Sequence, residues 1–435
     1  MSEGIRLVVT TPWYPGVTNP FSGSFVQGAV QAVRATGRVA GVRVVHGEDW
    51  PTPVDRLSSA LVRRGMRALS TGADGRSQLP VVRVREGELL RVPVPVRAGA
   101  GFAEHAAAHA ERVGAALDGG RLEGDVVHGH VGAVGGWVAT RLAAPGVPVV
   151  VTEHASFLDR VLAQPAARAM YDEVVDRSDR FVCVSGVLRD QLVAAFPHHR
   201  ERLEVLPNAV AVERMPLRRV PVTELYRWLY VGSLLPHKGV RRLVEAFARC
   251  AADDDRLELT LLGGGRLSEQ VAARVAELGL AGRVNLPGAV PHEQVVEQMH
   301  AHDLLVHMSE YETFGMTVVE AVAAGMPVLV TRSGGPQETL SGLEQITGST
   351  VGTTGAPDTL APSVGGSAGW PEVVAGVEEV VQAYRDLVRD VGRLDPVAAR
   401  AAMQARYSQD AVGRRLVELY AGGGSPGPAA PEVPP

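Results

Sequence analysis

DLLVHMSEYETFGMTVVEAVAAGMPVLVTRSGGPQE, residues 303–338, carries the pattern that decides the fold. An apolar run ends at Ser309, and a polar loop with Glu312 and Gly315 follows. Apolar residues then recur at helical spacing from about Met316 to Ala324. Gly325 and Pro327 close that stretch, and a second apolar run, VLVT, ends in a glycine pair. Short runs that are apolar throughout, joined by a helix, fit strands of a parallel sheet covered on both faces.

The same grammar extends in both directions. YRWLYVGS (226–233), LELTLLGGG (257–265) and RVNLPG (283–288) read as further strands, with helical patterns at 239–251, 267–278, 292–301 and 316–325. An earlier series comprises a strand at 5–10, a helix at 25–35, a strand at 39–45, and the runs DVVHGH (125–130), PVVVTEHA (148–155) and RFVCVS (180–185). Two successive series predict an α/β protein of two doubly wound, Rossmann-like domains facing a cleft. The expected boundaries are 1–207 for the first domain, 208–222 for a hinge and 223–396 for the second. A return helix at 397–420 is expected to pack on the first domain. Residues 421–435, almost all Gly, Pro, Ala and Ser, should be disordered.

Composition narrows the function classes. The chain has 435 residues, 46% hydrophobic and 21% charged, with 43 basic and 48 acidic side chains and a net charge of -5. That balance gives no electrostatic case for nucleic acid as a partner. Cys183 and Cys250 are the only cysteines, too few for a disulfide framework. No apolar run approaches the roughly 18 residues of a membrane span, and no secretory leader is visible, so a cytoplasmic protein is expected. Residues 56–97 hold nine arginines against Asp74, Glu86 and Glu88. Their apolar spacing within 56–70 would suit peripheral membrane contact or an anionic acceptor. Lys238 is the only lysine among the 43 basic residues. It is the first place to look for a compact charge acting on a phosphate.

Candidate chemistry gathers around 312–320. Backbone N–H groups at a helix start, here Gly315, Met316 and Thr317, can hold a diphosphate. Glu320 and Glu312 bracket that anion site and would repel phosphate unless each holds hydrogen-bond donors. Sugar hydroxyls supply such donors. Two glutamates separated by seven residues in E-T-F-G-M-T-V-V-E-A, followed by G-M-P-V-L-V-T-R-S-G-G-P-Q-E, resemble the signature of the retaining glycosyltransferases of family 4, which have the GT-B fold. The resemblance implies that Glu312 contacts the donor sugar and Glu320 the nucleotide ribose, with Phe314 in the same donor-binding loop.

Other stretches resemble that family along roughly residues 5–340. YVGSLLPHKGVRRLVEAF (230–247) matches the segment in which an arginine and a lysine clamp the donor phosphates. Lys238 is the lysine, and Ser233 stands where the arginine would be, with Arg332 or Arg266 as possible compensation. LLGGGRLSEQ is similar to the glycine-rich turn of the donor domain and brings in Gly264. LPGAVPHEQV is similar to the loop whose backbone meets the nucleobase around Val290. In the first domain, WYPGVTNPFSGSFVQ implicates Gly23 and Ser24, and VVVTEHASF puts His154 beside the scissile bond.

The resemblance implies a retaining transferase that moves a sugar from a UDP- or GDP-sugar to a small-molecule, glycan or lipid-linked acceptor. Its catalytic residues would be His154, Lys238 and Glu312, with no cofactor and no metal. A non-catalytic partner protein, suggested by Ser233, and a nucleotide-sugar epimerase on the same fold are the alternatives. His128 and His130 share a strand face but lack a third ligand at metal spacing, which favours a structural or acceptor-side role. Asp253, Asp254 and Asp255 read as a solvated turn, and 345–375 is assigned no role.

Overall fold

A computed structural model describes residues 4–422, except 17–18, 53–54, 56–57, 59, 63, 67–78, 352–369 and 371–373. The chain divides into two compact units, residues 1–209 with 409–435 and residues 210–408. Most of the arginine-rich stretch 56–70, most of 345–375 and nearly all of the 421–435 tail lie outside the described residues.

The first unit is built on an eight-stranded sheet: β1 (Ile5–Thr11), β2 (Val39–Thr52), β3 (Val81–Val84), β4 (Gly87–Arg97), β5 (Val126–His130), β6 (Val149–Glu153), β7 (Arg180–Cys183) and β8 (Leu203–Val205). Their order is β3-β4-β2-β1-β5-β6-β7-β8. All neighbours are parallel except the β3–β4 hairpin. β5 and β6 are buried at every position, which is why VVHGH and VVVTE show no polar alternation. The chain steps outward from β1 to β2 on one side and β5 on the other, so the switch of direction falls at β1/β5.

The sequence reading missed the β3–β4 hairpin, because Pro93 and Pro95 argue against a strand interior. β4 tolerates both. β3 pairs only with Gly87–Leu90, so beyond Leu90 the far edge of β4 has no β3 neighbour to require an N–H.

The second unit holds β9 (Arg227–Val231), β10 (Glu258–Leu262), β11 (Val284–Gly288), β12 (Leu304–His307), β13 (Val328–Thr331) and β14 (Gly348–Val351). They are all parallel, in the order β11-β10-β9-β12-β13-β14. Here the switch of direction lies at β9/β12. Trp228 on β9, fully buried, packs edge-on against Phe247 and Tyr384 and anchors this core. In an open doubly wound sheet, ligands bind beyond the carboxyl ends of the strands at the switch point. The functional loops are therefore those after β9 and β12, and after β1 and β5.

The segment 397–420 corrects the single return helix. It forms two helices, Pro396–Tyr407 and Gln409–Tyr420, divided at Ser408. Only the second packs within the first unit, against the Ser24–Ala35 helix. Nor is 208–222 one connecting segment: Val210 bonds Tyr407 within the second unit, while Ala209 belongs to the first. Among the described residues no helix is long and apolar enough to cross a membrane.

Candidate functional site

In the second unit the loop after β9 makes one turn of 3-10 helix, Pro236–Lys238, and enters the Val240–Asp253 helix through Gly239 at φ 65°. Any side chain at Gly239 would run into the carbonyl of Met308, directly after β12. That close approach brings the two switch-point loops together, and Glu310 N–H donates to the His237 carbonyl at 2.9 Å. The outcome is an ion pair: Lys238 Nζ lies 2.6 Å from Glu312 Oε2. The sole lysine thus meets the first glutamate of the motif, although 74 positions separate them in sequence.

Glu312 is largely buried, and burial by itself would raise its pKa. The Lys238 charge, the nearby His307, and hydrogen bonds from Lys238 and Thr313 N–H outweigh burial and hold the carboxyl below its usual range. His307 Nε2 is 3.7 Å from Glu312 Oε2. Burial pushes this imidazole down to about 4, so it stands neutral beside the pair. The sequence reading passed over His307 because it lies within an apolar strand run. Glu312 is fixed through its main chain as well: its N–H donates to Ser333 O and its carbonyl accepts from Gly335 N–H.

Three residues on, Gly315 at φ 87° starts the Met316–Ala323 helix, and its carbonyl takes the N–H groups of Val318 and Val319. The N–H groups at Gly315–Thr317 therefore precede the first internal helix bonds. The Phe314 side chain is buried edge-on against Tyr407 and packs the loop. Glu320 is buried and accepts from His292 Nε2 at 2.9 Å. That hydrogen bond, followed by opposing burial and the Glu320 charge, leaves the His292 pKa raised. His292 follows the Val290 loop in the sequence, and only the fold pairs it with Glu320. Val290 itself is half-buried after β11.

Ser233 and Gly264 are exposed on adjoining loops, with Leu234 N–H bonded to Gly264 O. Arg266 is exposed on the same glycine-rich turn. The His237 pKa is lowered by burial first, then by the charges of Lys238 and Arg266. A second cation accordingly stands near the Lys238 turn. Arg332 is exposed at the end of β13. Asp253 pairs with Arg385 and Asp254 with Arg256 at the surface.

In the first unit, Gly23 is buried at the start of the Ser24–Ala35 helix, and Ser24 is exposed. His154 follows β6 and is buried. Its Nε2 lies 2.9 Å from His130 Nδ1, its ring is 4.2 Å from Phe25, and Asn208 supplies a further hydrogen bond. Burial lowers its pKa to about 3, so it is a neutral imidazole.

His128 bonds Tyr420 Oη and Thr152 Oγ1, each at 2.7 Å, which makes it a core residue. Glu153, which the sequence reading left out, organises this corner. Its fully buried carboxylate accepts from the N–H groups of Gly132, His154 and Ala155 and from Tyr171 Oη. Burial nevertheless leaves its pKa raised. Val131, next to His130, holds φ 68°, a strained value for a β-branched residue, at the start of a π-helical stretch.

Two doubly wound α/β units of this kind make up the GT-B fold. Residues 52–214 match the family described as Glycosyltransferase Family 4, and residues 220–364 match Glycosyl transferases group 1. The chain therefore carries two glycosyltransferase-family domains in a GT-B architecture.

Among its relatives, a D-inositol 3-phosphate glycosyltransferase of Geodermatophilus obscurus is 33% identical, over 48% of this chain and 52% of the relative. A glycogen synthase of Mycobacterium tuberculosis is 28% identical, over 48% and 53%. The matched part of the chain thus spans about half the length of these curated relatives. Solved structures of the same fold include sucrose-phosphate synthase from Thermosynechococcus elongatus, with TM-score 0.65 and 17% identity, covering 96% of this chain and 98% of that one. Anabaena HepE, captured with UDP and glucose, gives 0.61 and 16%, covering 96% and 99%.

Proposed function

We propose that this protein transfers a sugar from a nucleotide diphosphate sugar to an acceptor hydroxyl with retention of anomeric configuration. The observation that carries the reading is the Lys238–Glu312 pair, set between the β9 and β12 loops and three residues before the Gly315–Thr317 helix start. A cation and free N–H groups together neutralise a departing diphosphate without a metal on it. Arg266, on the neighbouring turn, adds charge where Ser233 supplies none.

In this reading the unliganded enzyme stores Lys238 on Glu312. When the donor binds, the lysine turns to the diphosphate, and the freed carboxylate accepts hydroxyls of the sugar. His292 likewise yields Glu320 to the ribose diol. Leaving-group stabilisation then carries the chemistry, with the acceptor hydroxyl attacking from the face the diphosphate leaves. His154, kept neutral by burial, would act in this reading as a neutral imidazole rather than as a charged acid.

The deciding experiment incubates the protein with a panel of UDP-, GDP- and ADP-sugars and simple acceptors. Nucleoside diphosphate release is followed together with the anomeric configuration of the product by NMR. Release coupled to an α-linked product from an α-linked donor supports the proposal. An inverted product ends the retaining assignment. Conversion of the donor sugar without transfer makes the protein an epimerase, and donor binding without turnover makes it the non-catalytic partner.

A further inference from the structure

Outside the donor loops, the first unit gathers three metal-type ligands from two elements. His105 and His109 lie one turn apart on the Phe102–Ala116 helix and so share a face. Asp49 lies on β2, two residues after Gly47, and strand alternation puts both on one face of the sheet. A side chain at Gly47 would overlap the His109 ring, so glycine there lets the buried imidazole sit down on the strand. Asp49 Oδ1 is 2.9 Å from His105 Nε2 and 2.7 Å from His109 Nε2, and the two nitrogens are 3.1 Å apart.

No protonation pattern satisfies all three contacts. If both Nε2 atoms carry protons, two donors face each other at 3.1 Å. If one does not, its lone pair faces a carboxylate oxygen. A cation at the centre of the three resolves the conflict, because all three atoms then act as donors of electron pairs. We infer that Asp49, His105 and His109 form a site for a first-row divalent cation, with Zn2+ the best match to two imidazoles and one carboxylate.

Tetrahedral zinc at about 2.0–2.1 Å from each ligand needs ligand atoms roughly 3.3 Å apart, an opening of a few tenths of an ångström here. Asp49 and His105 are partly exposed, leaving the fourth position open to water or a ligand oxygen. The site uses none of the Lys238-loop residues, so it is compatible with metal-free departure of the diphosphate. It ties the carboxyl end of β2 to the helix. Nearby His46 bonds Pro12 O in the loop after β1, so the tie reaches the functional edge of this unit.

Asp172, His198 and His199 form a second group of the same composition, so the test is run in a His198→Gln background. Untagged full-length protein is stripped with EDTA and titrated with Zn2+ by calorimetry, and thermal unfolding is followed with and without zinc. His198→Gln should bind one equivalent and unfold at higher temperature with zinc. Adding Asp49→Asn, or His105→Gln at the exposed rim, should abolish both the equivalent and the shift. The His105 variant keeps the test open if the Asp49 variant folds poorly. Absence of zinc binding in the His198→Gln protein, or undiminished binding in the folded double variants, overturns the assignment.

Discussion

Replacing Lys238 with methionine keeps the side-chain stem and removes the charge, leaving the Glu312 carboxylate without its main counterion. Breaking one side of a buried pair costs about 3–5 kcal/mol, and an exposed one about 0–1 kcal/mol. Lys238 is 21% exposed and Glu312 15%, so the pair belongs between these limits, near the buried end. A loss of about 2–3 kcal/mol at pH 7 is expected, which in a unit of this size is roughly 4–12 °C in Tm.

The pH dependence gives the sign. In the wild type Glu312 is held below its unfolded value, so the pair's contribution is present above about pH 4.3 and is lost as pH falls through the lower folded pKa. In the variant burial dominates, and the penalty disappears on acidification as Glu312 takes a proton. The difference between the two proteins should therefore close at low pH. Calorimetric scans from pH 4 to 8 measure it, and Lys238→Met with Glu312→Gln should recover most of the loss. A shift under about 1 °C at pH 7, or a gap unchanged at pH 4, would refute the reasoning. Transfer by Lys238→Met should fall by about 10²-fold or more, as for loss of one stabiliser of transition-state charge.

Three further outcomes follow from the same loops. Glu320→Ala should weaken nucleoside diphosphate binding by about 1.5–3 kcal/mol, and an unchanged Kd by calorimetry removes the ribose assignment. Glu312→Gln releases Lys238 for phosphate, so nucleoside diphosphate affinity should hold or tighten while transfer falls; parallel losses in both would mean Glu312 serves the fold alone. The His292 imidazole should titrate by NMR above about 6.5, returning toward that value in Glu320→Gln. Its contribution to stability is then complete below about pH 6.5 and lost as pH rises through the higher folded value. Titration at or below about 6.5 in the wild type contradicts the pairing.

The sequence by itself determined the architecture and marked the candidate donor-side residues. Fully buried parallel strands leave short, mainly apolar runs, and β5, β6, β12 and β13, buried at every position, are such runs. Loop chemistry at the ends of those runs then marked Lys238, Glu312, the Gly315–Thr317 helix start and Glu320. What local pattern cannot encode is which distant groups meet. Lys238 pairs with Glu312 because Gly239 lets the β9 loop close on Met308, and no spacing rule relates residues 74 apart.

Tertiary structure likewise decided that Phe314 packs on Tyr407, that His154 is held by His130, and that His292 stands on Glu320. It split the return segment at Ser408 between the two units. It also admitted two prolines to β4, because the neighbouring strand ends before them. The Asp49–His105–His109 group was hidden for the same reason. Only the β2–helix packing joins an aspartate on a strand to histidines more than 50 residues later on a helix.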